Sequence, residues 1–247
     1  MFKHNISLAP YTTFGVGGVA EHLIEVRTPE ELLSVVEEAN RSKTPYQLIA
    51  GGSNVVFSDK PISGLVIRYF NLHGEILNQV RRGGLTVETS LPLESLIDEA
   101  IKNGLAGIET LSGIPGTVGG AIVGNAGAYG QSISDCLVRV QIFDGKKIRW
   151  LSKKQCQFVY RNSIFKEKKG SNWLILRAEF KLNRGDKKEL AKKSREIIKI
   201  RLQKYDPTLK CPGSFFKNVL VKEISKKSLK LIDPKKIVND PSKGRAG

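Results

Sequence analysis

The sequence predicts an α+β protein built as two lobes followed by the opening of a third region, and three observations carry that expectation. Short β-branched and apolar runs alternate with amphipathic segments that begin on recognisable helix caps. A glycine-rich stretch of twenty residues, 111–130, interrupts the second lobe. Strand-like runs dominate after it, joined by a hairpin signal.

In order along the chain, residues 20–26 read as a strand, and Thr28-Pro29-Glu30-Glu31 as a helix start: a threonine cap, a proline in the first turn and acids at the positive dipole end. The helix should run to about Arg41. Apolar runs at 46–50, 55–57 and 65–68 are expected strands, with Gly51-Gly52 breaking the first from the second. The second lobe opens with a strand at 85–89 and a helix over 92–103 that Gly104 stops. Strands at 138–143 and 147–151 flank the turn Asp144-Gly145, 173–182 reads as a long closing strand, and 186–204 as a helix. The expected division is 1–70, 71–184 and 185–247; beyond the helix, 209–247 is marginal for an independently folded core, so the third region is expected to be incomplete.

Of the 247 residues 40% are hydrophobic and 26% charged, the usage of an ordinary globular protein. No apolar run reaches the roughly 18 residues a membrane helix needs, so no membrane association is expected. The N-terminus lacks the pattern of a secretory signal, which predicts a cytoplasmic protein. Three cysteines, an odd number without a CxxC pair, suggest neither a disulfide framework nor a metal site. The net charge of +16 is concentrated in lysine-rich stretches without interleaved aromatics. That distribution argues against nucleic acid and leaves two readings open, solvated helix faces or attraction of a polyphosphate ligand.

Two motifs point to a ligand. In Ala50-Gly-Gly-Ser-Asn54 a strand ends in Gly51 and Gly52, then Ser53 and Asn54. Such a turn either exposes successive N–H groups as a nest for phosphate oxygens or is a plain tight turn. The stretch 111–130 holds seven glycines among small or apolar residues. It lets backbone approach a large planar ligand, with Ser112, Thr117 and Asn125 as polar contacts and Pro115 fixing the turn. Gly116, Gly119, Gly120, Ala126 and Gly127 belong to the same surface, and Tyr129 either packs near the ligand or seals the loop.

Five blocks carry a resemblance: Thr13-Phe-Gly-Val-Gly-Gly18, Ala50 to Asn54, Ser112 to Gly130, Tyr160-Arg-Asn-Ser-Ile-Phe165 and Gly213-Ser-Phe-Phe-Lys-Asn218. In content and order they resemble the UDP-N-acetylenolpyruvoylglucosamine reductase family. The resemblance implies an FAD-binding fold of the vanillyl-alcohol-oxidase (PCMH) type, non-covalent FAD, NADPH as reductant, and a monomeric oxidoreductase of peptidoglycan precursor synthesis acting on a UDP-sugar enolpyruvyl substrate. It assigns the carboxylate and enolate contact to Arg161, the general acid to Ser214, and substrate contacts to Lys204 and Asn218. A serine is a weak acid that needs a nearby positive charge, and Lys217 or Lys204 is the expected source, apart from the resemblance. His4, His22 and His73 fall in no block, so covalent flavin attachment is not expected. Two departures accompany the resemblance. The family's catalytic glutamate has no counterpart before Gly247, which predicts a shortened chain, and a lysine-rich insert occupies about 219–243 after Pro212. Another flavin enzyme of the same fold, a truncated flavin-binding remnant and a basic nucleic-acid binder are the competing readings.

Overall fold

The computed structural model describes residues 3–79, 84–204, 206, 208–213, 218–220, 224–232 and 245–246. The chain forms two compact units, Met1–Pro212 and Gly213–Gly247.

The first unit opens with β1 (Lys3–Ser7), β2 (Val19–Val26), α1 (Pro29–Arg41), β3 (Tyr46–Ile49) and β4 (Ile62–Tyr69). The strands form one sheet in the order β1-β2-β4-β3, antiparallel between β1 and β2 and parallel elsewhere. Helix α1 starts where the sequence places it, because Thr28 Oγ1 accepts the Glu31 N–H at 3.2 Å, and the Glu31 carboxylate accepts the Arg27 N–H at 2.7 Å. Its buried residues Pro29, Leu32, Val36 and Ala39 recur every three to four positions. Burial of side chains the size of Leu32 and Val36 contributes about 1.5–3 kcal/mol each. The strand expected at 55–57 does not form. The segment pairs with no strand among the described residues, stays irregular, and leaves Val56 53% exposed instead of buried against a sheet. Conversely, β1 pairs through a register that sets His4 opposite His22, their Nδ1 atoms 2.9 Å apart, a strand the sequence reading did not include.

The second lobe comprises β5 (Ile76–Gln79), β6 (Gly84–Glu88), α2 (Leu93–Lys102), β7 (Leu105–Ala106), α3 (Val118–Gly124), β8 (Gly127–Ala128), β9 (Gln131–Ser132), α4 (Ile133–Cys136), β10 (Leu137–Phe143), β11 (Ile148–Ser152), β12 (Leu174–Lys181), β13 (Asn183–Arg184) and α5 (Lys187–Lys204). An antiparallel sheet runs β11-β10-β12-β6-β5. The β10–β11 turn closes as the sequence predicts: Asp144 Oδ1 accepts the Lys146 and Lys147 N–H groups at 3.1 and 3.0 Å, and Gly145 supplies φ +92°. Leu85, Val87, Val140, Ala178 and Phe180 of this sheet share a core with Leu96 and Ile97 of α2 and with Val118 and Ile122 of α3. Phe143, Leu174 and Leu176 instead join Ile24, Leu32, Val36 and Ile67 of the first lobe, so the two lobes are cemented through a common apolar layer.

Helix α5 pins the start of the glycine-rich stretch. Ser194 Oγ lies 2.9 Å from Ser112 Oγ, Lys193 Nζ donates to Glu109 Oε1 at 2.7 Å, and Arg201 Nε donates to the Gly113 carbonyl at 3.1 Å. Burial alone would raise the Glu109 carboxyl, but the Lys193 ammonium and the Gly107 N–H hold it below the usual carboxylate range.

In the second unit, β14 (Val219–Leu220) pairs antiparallel with β15 (Arg245–Ala246). Between them α6 (Lys226–Leu229) is capped by Ser225, whose Oγ accepts the Ser228 N–H at 3.0 Å. Among the described residues no helix is long and apolar enough to cross a membrane.

Burial pushes the Cys156 thiol up to about 12 and, with help from nearby carboxylates, Cys136 to about 11. Neither presents a useful thiolate fraction at pH 8. Brief treatment of the folded protein with iodoacetamide at pH 8 should therefore alkylate exposed Cys211 and spare the other two, read by peptide mass spectrometry. Equal labelling of Cys156 would contradict the packing around it.

Candidate functional site

The two glycine motifs meet in space. An added Cβ on Gly51 would lie 3.2 Å from Gly116 Cα, so the strand-end turn and the Pro115-Gly116 turn touch backbone to backbone. Ser53 Oγ donates to the Pro115 carbonyl at 3.0 Å and locks them together. Gly52 has φ +67°, and a Cβ there would fall 1.9 Å from the Tyr11 carbonyl oxygen, while Thr13 N–H donates to the Gly52 carbonyl at 3.1 Å. The N-terminal block, residues 51–54 and residues 115–117 are thus one cluster. Among the described residues, the N–H groups of Ser53, Asn54 and Gly116 donate to no protein acceptor. They are the donors such a nest offers to phosphate oxygens.

Because the clash at Gly52 is with backbone, a side chain there cannot be relieved by rotamer change. Gly52→Ala should lower FAD affinity by at least about 100-fold and depress the melting temperature by several degrees, consistent with the strain costs of αL and overpacking. Flavin retention and thermal melts check this; unchanged values for both would remove the turn from the site.

The stretch 111–130 is not one loop, as it reads in sequence, but a turn followed by the glycine-bearing helix α3. Thr117 caps it, its Oγ1 accepting the Gly120 N–H at 3.1 Å. The preceding amides are also committed: Val118 N–H to the Leu91 carbonyl and Gly119 N–H to the Thr89 carbonyl, each at 2.9 Å. Most glycines here answer to protein geometry. Gly113, Gly116 and Gly130 have positive φ, Gly119 abuts Thr89, and Gly127 faces the Gln131 carbonyl. Gly120 and Gly124 do not. One turn apart on α3, an added Cβ would meet only Thr117 Oγ1 at 3.5 Å and nothing within 4 Å, respectively. A bare strip of backbone faces open space.

At the end of that strip, Asn125 caps α3 in the left-handed region (φ 44°) and is 7% exposed. Its Nδ2 donates to the Val159 carbonyl at 2.9 Å, and its Oδ1 is buried without a partner among the described residues. The contact with Val159 belongs to a three-point seam joining this region to the Tyr160–Phe165 block. Arg161 Nη2 donates to the Gly127 carbonyl at 2.6 Å, and Ser163 Oγ donates to the Val123 carbonyl at 2.8 Å. Arg161 itself sits at φ 55°, a conformation costing a non-glycine residue about 1–3 kcal/mol and typical of functional positions. Its guanidinium lies 5.4 Å from the Tyr160 ring.

The structure therefore brings Gly51 to Asn54, Pro115 to Thr117 and Tyr11 to Thr13 together, and joins Asn125, Ala126 and Gly127 to Arg161. Ser112 is elsewhere in role: fully buried, its hydroxyl donates to the Glu109 carbonyl at 2.8 Å and pairs with Ser194. Lys204 ends α5 and is exposed; Asn218, exposed, immediately precedes β14 in the second unit. Ser214 and Lys217 lie outside the described residues. Sequence reasoning named neither Ser163 nor the Val159 carbonyl as an element of the candidate site; the serine within the Tyr160–Phe165 block offered a signal, the carbonyl none.

Comparison with known proteins agrees in extent and kind. Residues 20–147 match the FAD binding domain family. A UDP-N-acetylenolpyruvoylglucosamine reductase of Solibacter usitatus is 42% identical over 217 residues, 88% of this chain and 68% of that protein. One of Carboxydothermus hydrogenoformans is 37% identical over 235 residues, 92% of this chain and 76% of that protein. The crystal structure of UDP-N-acetylenolpyruvylglucosamine reductase from Thermus caldophilus matches with a TM-score of 0.72 at 30% identity, covering 93% of this chain and 79% of that one.

Proposed function

The chain belongs to the UDP-N-acetylenolpyruvoylglucosamine reductase family, with its FAD-binding α+β fold, and on that premise we propose that it reduces the enolpyruvyl ether of a UDP-N-acetylglucosamine to UDP-N-acetylmuramate, using NADPH. The observation that carries the reading is the seam holding Arg161 against Gly127, beside the bare face of α3.

The residues present fit FAD. Unpaired amides at 53, 54 and 116 suit a pyrophosphate, the Gly120–Gly124 strip suits a flat ring, and the orphaned Asn125 Oδ1 awaits a donor. Bound FAD would supply the hydride transfer from NADPH to the enolpyruvyl β-carbon. The rest falls to the chain. Arg161, a permanently charged planar fork, holds the substrate carboxylate and stabilises the negative charge that develops on it as the hydride arrives. Ser214 gives its proton to the α-carbon, and the positive charge of a lysine, Lys217 or Lys204, lowers the cost of the alkoxide left behind. Lys204 and Asn218 contact the sugar nucleotide. Gly51, Gly52, Pro115 and Thr117 act through backbone geometry rather than side-chain chemistry.

In this proposal 1–70 and 71–184 are the cofactor lobes and 185–247 contributes to substrate binding, in the cytoplasm, where UDP-sugars and NADPH are found. Its first test is the purified protein itself. It should be yellow, release FAD on denaturation, and bleach anaerobically with NADPH; a colourless chain that takes up no FAD on reconstitution would reject it.

A further inference from the structure

We infer that His4 and His22 form a two-imidazole site for a divalent transition-metal ion of the copper or nickel kind, which clips the edge strand β1 to β2. The site lies outside the reductase chemistry above and does not depend on it.

The site follows from strand register. β1 and β2 pair antiparallel with His4 directly opposite His22, and facing residues of such a pair project from the same face of the sheet. The rings meet edge to face with centroids 4.9 Å apart, and their Nδ1 atoms come within 2.9 Å. Two bare lone pairs repel at that distance, so either one nitrogen donates a hydrogen to the other or a cation lies between them. An ion about 2.05 Å from each nitrogen, an ordinary metal–imidazole bond, would hold two nitrogens 2.9 Å apart at an angle of about 90°. That is the angle between neighbouring ligands of a square-planar or octahedral ion, which selects copper(II) or nickel(II). A tetrahedral zinc ion would need the nitrogens about 3.3 Å apart.

The surroundings suit a ligand pair. The second nitrogen of His22, Nε2, lies 3.8 Å from Glu21 Oε1, and Glu21 is itself fixed because its Oε2 accepts the Gly64 N–H at 2.9 Å. A carboxylate facing Nε2 favours the tautomer with the hydrogen there and leaves Nδ1 free to ligate, the arrangement that commonly backs a metal-bound histidine. His4 is exposed and the His22 side chain 37% exposed, so an ion reaches the pair from solvent. Among the described residues no group of three or more histidine, cysteine or carboxylate side chains gathers to hold an ion, so solvent completes the coordination. Lys3 and Glu25, the next charged side chains along the two strands, are engaged with each other at 2.6 Å and leave the pair to its own chemistry.

The test uses tag-free full-length protein with Cys211 capped by iodoacetamide. Titrated calorimetrically with nickel chloride, it should bind one ion per chain. His4→Gln or His22→Gln should weaken binding at least about 100-fold, more than the roughly 10-fold expected for Glu21→Gln, which removes only the carboxylate behind the ligand. His73→Gln should change nothing. With one equivalent of copper(II), the electron paramagnetic resonance spectrum of the wild type should carry splitting from two imidazole nitrogens. Saturating nickel should raise the melting temperature of the wild type and leave both histidine variants where they are. Absence of binding, binding that survives both histidine substitutions, or a copper spectrum with one nitrogen or none would overturn the site and leave the pair as a hydrogen bond between strands.

Discussion

Arg161→Ala should lower kcat/KM for the UDP-sugar enolpyruvyl ether by about 10³, the scale lost when a donor to developing oxyanion charge is removed. Reduction of bound flavin by NADPH should change by less than about 3-fold, since that half-reaction develops no charge on the sugar substrate. The separation follows from how the residue is held. One guanidinium nitrogen is spent on the Gly127 carbonyl, which aims the fork without neutralising it, and the strained backbone at φ 55° is secured by the neighbouring Val159 and Ser163 contacts. Arg161→Lys should recover little, because a point charge cannot both keep the Gly127 contact and grip a carboxylate in two places. Stopped-flow measurement of the two half-reactions checks this. Equal losses in both would make Arg161 a scaffold residue.

The second large effect is expected at Ser214. Ser214→Ala should slow reduction of the sugar substrate by about 10³, within the range a positioned general acid contributes, with flavin reduction by NADPH intact. Substrate KM should stay within about 3-fold, since a hydroxyl that acts only as proton donor is used in the transition state more than in the ground state. Ser214→Cys, which offers a more acidic proton, should restore part of the rate. Loss of both half-reactions would refute the assignment. Gly213, directly before Ser214, has φ +85°, a backbone that places glycine there for conformational reasons.

What was legible in the sequence was local. Thr28, Pro29 and Glu31 announce α1 because a cap is satisfied within four residues, and Asp144-Gly145 announces the β10–β11 turn for the same reason. The run at 55–57 misleads because apolar character alone does not fix burial: the segment joins no sheet and Val56 faces solvent. Helix α3 is hidden by its own glycines, whose low helix propensity is overridden where Val118 and Ile122 enter the core and Gly119 must pass Thr89. Ser112 reads as a ligand contact from its place in a glycine-rich segment, but α5 closes over it, and a partner 82 residues away cannot be seen locally. Of the candidate site, the glycine turns and the Arg161 block are each visible as motifs. Their joining through Val159, Gly127 and Val123 carbonyls is not, because backbone acceptors leave no trace in residue identity.

In the proposed reaction one chain carries hydride from NADPH through bound FAD to a UDP-sugar enolpyruvyl ether. Anaerobic single turnover tests it most directly: protein reduced with NADPH, freed of excess nucleotide, is mixed with UDP-N-acetylglucosamine enolpyruvate while flavin absorbance is followed. Full return of the oxidised flavin spectrum is expected, with UDP-N-acetylmuramate formed in amounts stoichiometric with bound FAD. Flavin that stays reduced with the sugar and reoxidises only when oxygen is admitted would contradict it.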